Sequence, residues 1–480
     1  MTTPNPAIEK AMASVAAATA KAEADPTRPL YHFRPPANWM NDPNGPIYHN
    51  GYYHLFYQHN PYGDGWEHMH WGHTRSTDLV NWEHLPIALS PSLDQGEDHC
   101  FSGCAWHNGN GEPMLFYTSV ARADQPHARP NEQWAVTCDD DMIVFEKHPS
   151  NPILSLENQG GPDFKGPWRD PFIFSEAGRT FLVIGADTED TAMVALYEAN
   201  DNSLTAWTYR GLIHQAPKSE VKFFECPNFC KVDGKWILIT APYRRLEYIV
   251  GDFDLDTLTF TPENDGILDH GFTADPKALG YGSNVEYYAS NIVFDDRGRC
   301  ILLGWVRGFQ AERGWNGCLA IPRLLSIGVD GHPRQMPVPA MTQLRGPSRF
   351  VQDLDISKTP HVLDGFASDT AEIEMTFSSS DSVTLQVRRS EDGSRAITIH
   401  STPDTLDVAG TQVPISASTD NRTLRVFLDK SVLEVYLDDG SVAVTRVLYP
   451  ETQDLGVAIS SSNGEATIKA LNVWQMQSIW

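Results

Sequence analysis

A short pattern of polar and apolar positions recurs five times along the chain. Each copy begins with a few alternating polar and apolar residues, passes through a glycine turn and ends in an apolar strand. The copies begin at residues 42, 103, 170, 225 and 290, and the turn glycine lies eight or nine residues after each start. The apolar strands that follow are 52–57, 114–117, 181–184, 236–239 and 301–303.

Successive starts are 55 to 67 residues apart, which is long enough for a four-stranded antiparallel sheet. Repeated sheets of that size predict a β-propeller, here with five blades over residues 31–335. The innermost strands of a propeller converge on a central funnel, so Asp42, Asp170 and Glu225 would face one pocket. The alternative is a string of ordinary hairpins, because Asp-Pro and glycine turns are common.

The pattern changes after about residue 330. Short alternating strands such as 371–377 and 424–428 recur between Asp, Ser and Gly turns, which predicts a β-sandwich over residues 351–480. The proline-rich stretch 336–350 is predicted to be a stiff linker or a docked crossing segment. Residues 1–30 are Ala-rich and are expected to form a helical extension. The predicted fold is otherwise all-β.

The length and net charge of the chain indicate how many domains and which kinds of binding partner to expect. At 480 residues the chain exceeds the usual size of one hydrophobic core, so two domains are expected. With 36 basic and 62 acidic side chains the net charge is -26, which repels nucleic acid and anionic membranes. No apolar run approaches the ~20 residues of a membrane-spanning helix. Charged residues interrupt the N-terminal stretch, so we expect no signal peptide and a cytoplasmic protein.

The cysteines argue against disulfides and metal. Their number, seven, is odd, and they show no disulfide framework, which fits a reducing cytoplasm. Cys226 and Cys230 are four residues apart, as are Cys100 and Cys104, and neither pair has zinc-knuckle spacing. We therefore predict no metal and no cofactor. Thirteen Trp residues suit a carbohydrate binder that stacks on sugar rings.

Three acidic residues lie in turn motifs and suggest glycosidic chemistry. A retaining glycosidase uses an ionised carboxylate as nucleophile and a protonated carboxyl as acid, about 5 to 5.5 Å apart. Asp42 is the predicted nucleophile, because Asn41 and Asn44 can donate hydrogen bonds that favour its ionised form. Glu225 is the predicted acid and base, since it has the longer reach.

The residues that flank Glu225 and Asp170 in the sequence support roles for these two acids. Phe223, Phe224 and Cys226 offer Glu225 an apolar neighbourhood that would favour the neutral acid. Asp170 follows Arg169, whose charge should keep it ionised for stabilising an oxocarbenium-like transition state. An isolated Arg-Asp pair would more simply be a surface ion pair.

These motifs carry a family resemblance. The segments WMNDPNG at 39–45, RDP at 169–171 and ECP at 225–227 together resemble glycoside hydrolase family 32, the invertases, inulinases and levanases. The likeness extends to Gln58, Trp66 and the segments 101–103, 304–305 and 424–436. It implies a five-bladed propeller joined to a β-sandwich, acting on β-D-fructofuranosides with retention through a covalent fructosyl-enzyme. It also implies the same roles for the three acids.

The resemblance implies a pocket for the terminal fructose as well. Its expected residues are Asn41, Gln58, Trp66, Phe101, Ser102, Arg169 and Trp305. The alternative for the aromatic residues is the propeller core, and for Trp305 both interpretations stay open. The chain departs from the family pattern at 286–291, at Cys104 in place of Ser, and in an inserted loop at 271–284. These departures concern the leaving-group side of the cleft.

The predicted function is a retaining β-fructofuranosidase that hydrolyses sucrose and related fructosides. A transfructosylase using the same intermediate is an alternative, as is a catalytically silent sugar-binding propeller, against which the complete acidic trio argues. Propeller arabinofuranosidases also use three acids but lack these motifs. The expected partner is a small saccharide, with no nucleic acid or membrane partner and no prediction of oligomeric state.

Overall fold

The computed structural model describes residues 5–272, 285–417 and 420–480, so most of the predicted insertion at 271–284 lies outside the described residues. Helix α1 (Pro6–Glu23) is the one α-helix in the described ranges. The Asn5 side chain accepts from the backbone N–H of Ala7, and Pro6 occupies the first turn, a common helix start. The helix buries Ala11, Val15 and Ala22. No helix in the described part of the chain is long and apolar enough to cross a membrane.

The strands before residue 338 form five sheets, each built around four antiparallel strands. The first sheet has β1 (Asn38–His49), β2 (Tyr52–Asn60), β3 (His70–Ser76) and β4 (Glu83–Leu89). The second has β5 (His99–His107), β6 (Pro113–Val120), β7 (Glu132–Cys138), β8 (Phe145–Lys147) and β9 (Leu154–Ser155). The third has β10 (Arg169–Glu176), β11 (Arg179–Asp187), β12 (Thr191–Ala199) and β13 (Trp207–Pro217).

The fourth sheet has β14 (Glu225–Val232), β15 (Lys235–Ala241), β16 (Glu247–Asp254) and β17 (Thr259–Ile267). The remaining strands of this part are β18 (Tyr287–Phe294), β19 (Cys300–Val306), β20 (Trp315–Asn316), β21 (Cys318–Leu319), β22 (Arg323–Ile327) and β23 (Pro333–Pro337). They form the fifth sheet, except that β20 pairs in parallel with β1 of the first sheet. The end of this part of the chain is thereby joined to its beginning.

The first strands of the five sheets, β1, β5, β10, β14 and β18, contact one another in a closed cycle. At its centre, the Asn291 side chain donates to the carbonyl oxygens of Pro43 at 3.2 Å and Gly103 at 3.1 Å, which joins three of these strands. The residues at the starts of the five strands are therefore brought together although they are far apart in the sequence.

The recurring turn glycine has a conformational cause. Gly51, Gly111, Gly178, Gly234 and Gly298 all have a positive φ, between 74° and 85°. A Cβ atom added at any of them would meet nothing within 4 Å. Glycine is therefore favoured there by the left-handed backbone of the turn and not by a lack of space for a side chain. Each of these glycines closes the hairpin between the first and second strands of its sheet.

The C-terminal part contains two six-stranded sheets. Its strands are β24 (Arg345–Ile356), β25 (His361–Val362), β26 (Thr370–Ser378), β27 (Val383–Arg389), β28 (Ile397–Ser401), β29 (Thr405–Val408), β30 (Thr411–Pro414), β31 (Asn421–Asp429), β32 (Val432–Leu437), β33 (Val442–Val447), β34 (Gly456–Ser461) and β35 (Ala466–Met476). Side chains from both sheets, such as Ile373 and Leu385, share one core, which is a β-sandwich arrangement. The prediction of a nearly all-β chain is confirmed.

The segment predicted as a linker, 336–350, has regular structure. It contains the end of β23, a 3₁₀-helix (Pro339–Leu344) and the start of β24. Met341 and Leu344 are buried, so the 3₁₀-helix packs against the rest of the chain, whereas residues 347–350 are exposed. A second 3₁₀-helix (Leu93–Gln95) follows β4. The domain limits at 31, 336 and 351 stay predictions.

Candidate active site

The three predicted acids lie around one thiol and one guanidinium group. Sγ of Cys226 is 3.6 Å from Oδ2 of Asp42 and 3.7 Å from Oδ2 of Asp170. Nη2 of Arg169 lies 2.5 Å from Oε1 of Glu225, and its Nε lies 3.6 Å from Oδ2 of Asp170. The structure thus brings Asp42, Asp170 and Glu225 together at one end of the cycle of strands.

A β-bulge at the start of each of the five first strands directs these side chains. The regular register breaks at 41–42, 101–102, 170–171, 226–227 and 289–290. Asp170, Cys226 and Ala289 have positive φ at these breaks, with values of 67°, 46° and 46°. A bulge re-aims side chains, and strained backbone of this kind is concentrated at functional sites.

Asp42 is held by the polar side chains that surround it. Asn41 Nδ2 donates to its Oδ1 at 3.0 Å, and the Ser102 hydroxyl donates to its Oδ2 at 2.5 Å. Asn44 was expected to donate as well, but its carbonyl oxygen accepts from the Trp71 indole and the Gln58 N–H, each at 3.2 Å, and its nitrogen donates to the Pro43 carbonyl at 3.2 Å. The prediction for Asn44 is therefore wrong, because its amide is bound by other partners.

Gln58 links Asn41 and Ser102, the two side chains that donate hydrogen bonds to Asp42. Its carbonyl oxygen accepts from Asn41 at 2.8 Å, and its amide donates to the Ser102 hydroxyl at 2.6 Å. The indole N–H of Trp39 donates to Asn41 at 2.7 Å. This network fixes the orientation of both groups that bind the Asp42 carboxylate.

The pKa values of two acids are raised, which differs from the prediction. Burial raises the pKa of Asp42; the bonds from Ser102 and Asn41 oppose this, and the nearby Glu225 charge adds to it. Burial also raises the pKa of Asp170 to about 7, more than the neighbouring Arg169 charge lowers it. The expectation that Arg169 keeps Asp170 in its usual ionisation range is wrong, because desolvation is the larger effect.

Both carboxylate oxygens of Glu225 have polar partners. Besides its contact with Arg169, Glu225 accepts a hydrogen bond from the Tyr288 hydroxyl at 2.6 Å. The Phe223 ring packs 4.6 Å from the guanidinium of Arg169. Arg169 also donates to the Tyr243 hydroxyl oxygen at 2.7 Å. Both Glu225 oxygens are consequently bound and oriented.

The predicted aromatic residues occupy different environments. The Trp66 side chain is exposed, and its ring lies 5.9 Å from that of Phe101 and 5.3 Å from that of His99. Trp305 is buried in the main hydrophobic core, with its ring edge against Trp39 at 5.7 Å. Trp305 therefore satisfies the core interpretation while lying next to the network around Asn41.

Several residues of the site were not predicted from the sequence. Cys226 was expected only as an apolar neighbour of Glu225, whereas its thiol lies against Asp42 and Asp170. Tyr288 lies in the segment 286–291, which was expected only to depart from the family pattern. The guanidinium of Arg307 lies 4.9 Å from the Trp305 ring and 5.6 Å from the Tyr288 ring, and only its position after Trp305 could have indicated it. Tyr243 has no sequence signal, since it lies in a loop without a motif. Within the described ranges no group of three His, Cys, Asp or Glu residues could hold a metal ion.

Comparison with known families agrees with this geometry. Residues 32–337 match the family model described as the glycosyl hydrolases family 32 N-terminal domain. Residues 340–475 match the model described as the glycosyl hydrolases family 32 C terminal.

Related proteins and solved structures cover nearly the whole chain. A levanase of Bacillus subtilis is 29% identical, over 94% of this chain and 71% of its own length. A sucrose-6-phosphate hydrolase of Escherichia coli is 28% identical, over 93% of this chain and 94% of its own length. Among solved structures, a Bombyx mori GH32 beta-fructofuranosidase, also solved as a mutant in complex with sucrose, is 26% identical with a TM-score of 0.82, covering 99% of both chains.

Proposed function

The chain belongs to glycosyl hydrolase family 32 and hydrolyses fructosides, and we propose that it does so as a retaining β-fructofuranosidase acting on sucrose and related fructosides. The observation that carries the proposal is the convergence of Asp42, Asp170 and Glu225 around Cys226 and Arg169. Two carboxyl groups in one cleft are the minimum that glycoside hydrolysis with retention requires.

The scaffold of the site is proposed to be a five-bladed β-propeller followed by a β-sandwich. Five sheets whose first strands contact one another in a closed cycle support this proposal, as does the pairing of β20 with β1. The proposed limits are 31–335 for the propeller and 351–480 for the sandwich, with 336–350 crossing between them and 1–30 as an extension.

In the proposed first step, a carboxylate oxygen of Asp42 attacks the anomeric carbon of the fructosyl unit. Glu225 gives its proton to the departing oxygen, and the covalent fructosyl-enzyme forms. The bonds from Asn41 and Ser102 orient Asp42 for this attack. The bonds from Arg169 and Tyr288 orient Glu225.

In the proposed second step, water replaces Asp42. Glu225 now acts as the base that removes the proton of that water, which returns every group to its starting state. Asp170 is proposed to stabilise the positive charge that develops on the sugar ring in both steps. Asp170 is buried, so its ionised form is little screened by water and interacts strongly with a cation that forms beside it.

The remaining predicted residues are proposed to bind the terminal fructose. Asn41, Gln58, Ser102 and Arg169 present polar groups within the network around the acids. Trp66 and Phe101 provide an aromatic wall at the rim, and Trp305 supports this pocket from the core.

Trapping the intermediate tests the assignment of the two main acids. A Glu225→Gln variant incubated with sucrose, quenched with acid and digested should show one fructosyl unit on the peptide that contains Asp42. An Asp42→Asn variant should show none and release almost no fructose. An unmodified Asp42 peptide, or parent-like fructose release by Asp42→Asn, would contradict the proposal.

A further inference from the structure

A cavity of about 320 Å³ lies outside the candidate active site, between helix α1 and the loop that joins β2 to β3. Lys10 lines it from the helix, and Tyr62 and His68 line it from the loop. Leu93 and Asp98, between β4 and β5, also line the cavity. The family match begins at residue 32, so the helix that contributes Lys10 lies outside the matched segment.

Tyr62 presents an aromatic surface to this cavity. The residue is 38% exposed, and its ring meets those of His68 and His70 edge-on, each at 5.7 Å. Nζ of Lys10 lies 5.6 Å from the ring centroid. The exposed part of this ring is a suitable surface for the apolar face of a sugar, whose hydroxyl groups would be near the Lys10 ammonium.

The charges around the cavity favour a neutral ligand. Lys10 and Asp98 carry opposite charges and line the same space. Oδ2 of Asp98 is bound by His127 at 2.9 Å and by the Arg122 N–H at 2.7 Å, which leaves its Oδ1 to accept from a ligand. A small anion would be repelled by Asp98 and a small cation by Lys10, whereas hydroxyl groups can accept from one and donate to the other. Leu93 is 70% exposed and adds apolar surface. Aromatic, apolar and mixed polar groups together are characteristic of saccharide sites.

The loop of this cavity also serves the candidate active site. It carries Trp66, whose ring packs against Phe101 there. Hydrogen bonds hold the loop at Gly63, whose carbonyl accepts from the Trp39 N–H at 3.0 Å, and at Asp64, which accepts from the Gly314 N–H at 2.9 Å. The cavity is thus held at a fixed place beside the catalytic cleft.

We propose that this cavity is a second carbohydrate site that binds a segment of a fructan chain. The inference rests on the proposed function, which makes fructan the relevant class of saccharide. Holding a polymer beside the cleft raises the local concentration of chain ends and so increases kcat/KM for the polymer. Sucrose is too short to gain from this effect.

Kinetics with a long and a short substrate test the proposal. We expect Tyr62→Ala to lower kcat/KM for inulin about tenfold, equivalent to losing one good contact, while kcat/KM for sucrose stays at the parent value. Tyr62→Phe keeps the ring and should behave as the parent. Lys10→Ala, an exposed helix position, should lower the inulin value without affecting folding. Phe350→Ala removes an exposed ring from the sandwich and serves as the control.

Native gel electrophoresis with inulin in the gel measures binding without turnover. Inulin in the gel should retard the parent more than it retards Tyr62→Ala or Lys10→Ala. The Phe350→Ala control should be retarded as much as the parent. Unchanged retardation and an unchanged inulin-to-sucrose ratio in both cavity variants would overturn the second site. A parent that released no fructose from either substrate would instead overturn the proposed function, which is a different result.

Discussion

The hydroxyl group of Tyr288 lies 2.6 Å from Oε2 of Glu225. The same hydroxyl lies 2.9 Å from the carbonyl oxygen of Ala241 and accepts from the backbone N–H of Tyr243 at 2.9 Å. A hydroxyl has one hydrogen, so it donates to one of the two oxygens at a time. It can donate to Glu225 when that side chain is ionised and turn to Ala241 when Glu225 carries the proton.

A Tyr288→Phe variant should therefore lose catalytic rate. Removing the hydroxyl leaves Glu225 with fewer orienting bonds in both steps, and we expect kcat for sucrose to fall about tenfold with a smaller change in KM. Steady-state kinetics measure both values. Tyr287→Phe is the matched control, because the Tyr287 hydroxyl is buried without a hydrogen-bond partner among the described residues. Equal kcat values in the two variants would contradict this role.

Cys226 should resist alkylation although it lies in the site. Burial raises the pKa of its thiol well above the usual value, and the charges of Asp170 and Asp42 raise it further. Thiols react as thiolates, so iodoacetamide at neutral pH should leave Cys226 unlabelled and the activity intact. Peptide mass spectrometry checks this, with the urea-denatured protein as the control in which all seven cysteines are labelled. Rapid inactivation with a label on Cys226 would disprove it.

Local patterns in the sequence predicted the parts of the fold that depend on local structure. The five turn glycines mark the hairpins, because a left-handed backbone conformation at a fixed position in each turn favours glycine there, and glycine can be recognised in the sequence. Asp42, Asp170 and Glu225 could be found because each lies in a turn motif at the start of a repeat. Their convergence then followed from repetition of the sheets, not from any contact visible in the sequence.

Other features of the site depend on contacts between residues that are far apart in the sequence. Arg169 adjoins Asp170 in the sequence, yet its closest carboxylate contact is with Glu225, 56 residues away. The raised pKa of Asp170 has the same origin, since it reflects burial by several strands that the dipeptide does not reveal. Tyr243 meets Arg169 from a loop without a motif. Sequence patterns therefore located the acids more reliably than their charge states.

An Asp170→Asn variant should be more stable than the parent at neutral and higher pH. The folded-state pKa of about 7 exceeds the usual 3.8, so unfolding becomes easier as pH rises between these values. The neutral amide avoids this cost, and we expect about 1 to 2 kcal/mol more free energy of unfolding above pH 7. The gain should vanish below about pH 4, because the Asp170 side chain of the parent is then protonated and as neutral as the amide of the variant.

Urea unfolding of both proteins across this pH range measures the effect. Asp94→Asn, at an exposed aspartate, is the control and should show no pH-dependent difference. A constant difference at all pH values would show that the amide stabilises by packing and not by removing a buried charge.

His32 joins the segment before β1 to the C-terminal sheets. Its Nδ1 lies 2.8 Å from Asp429 and its Nε2 lies 2.9 Å from Glu434, and all three side chains are fully buried. Arg323 binds the other oxygen of Glu434 at 2.7 Å. Burial would lower the pKa of His32, but the bonds to the two carboxylates outweigh it and raise the pKa to about 9.

This buried cation should make the stability fall at alkaline pH. Because the folded-state pKa is raised above the usual 6.5, the contribution of His32 is complete below pH 6.5 and is lost as pH rises through about 9. A His32→Gln variant lacks the charge throughout, so we expect it to be about 3 to 5 kcal/mol less stable than the parent near pH 6. The difference should shrink towards pH 9, whereas exposed His361→Gln should match the parent at every pH. Thermal melts of the three proteins measure this, and a gap that stayed constant from pH 6 to pH 9 would refute a charged His32.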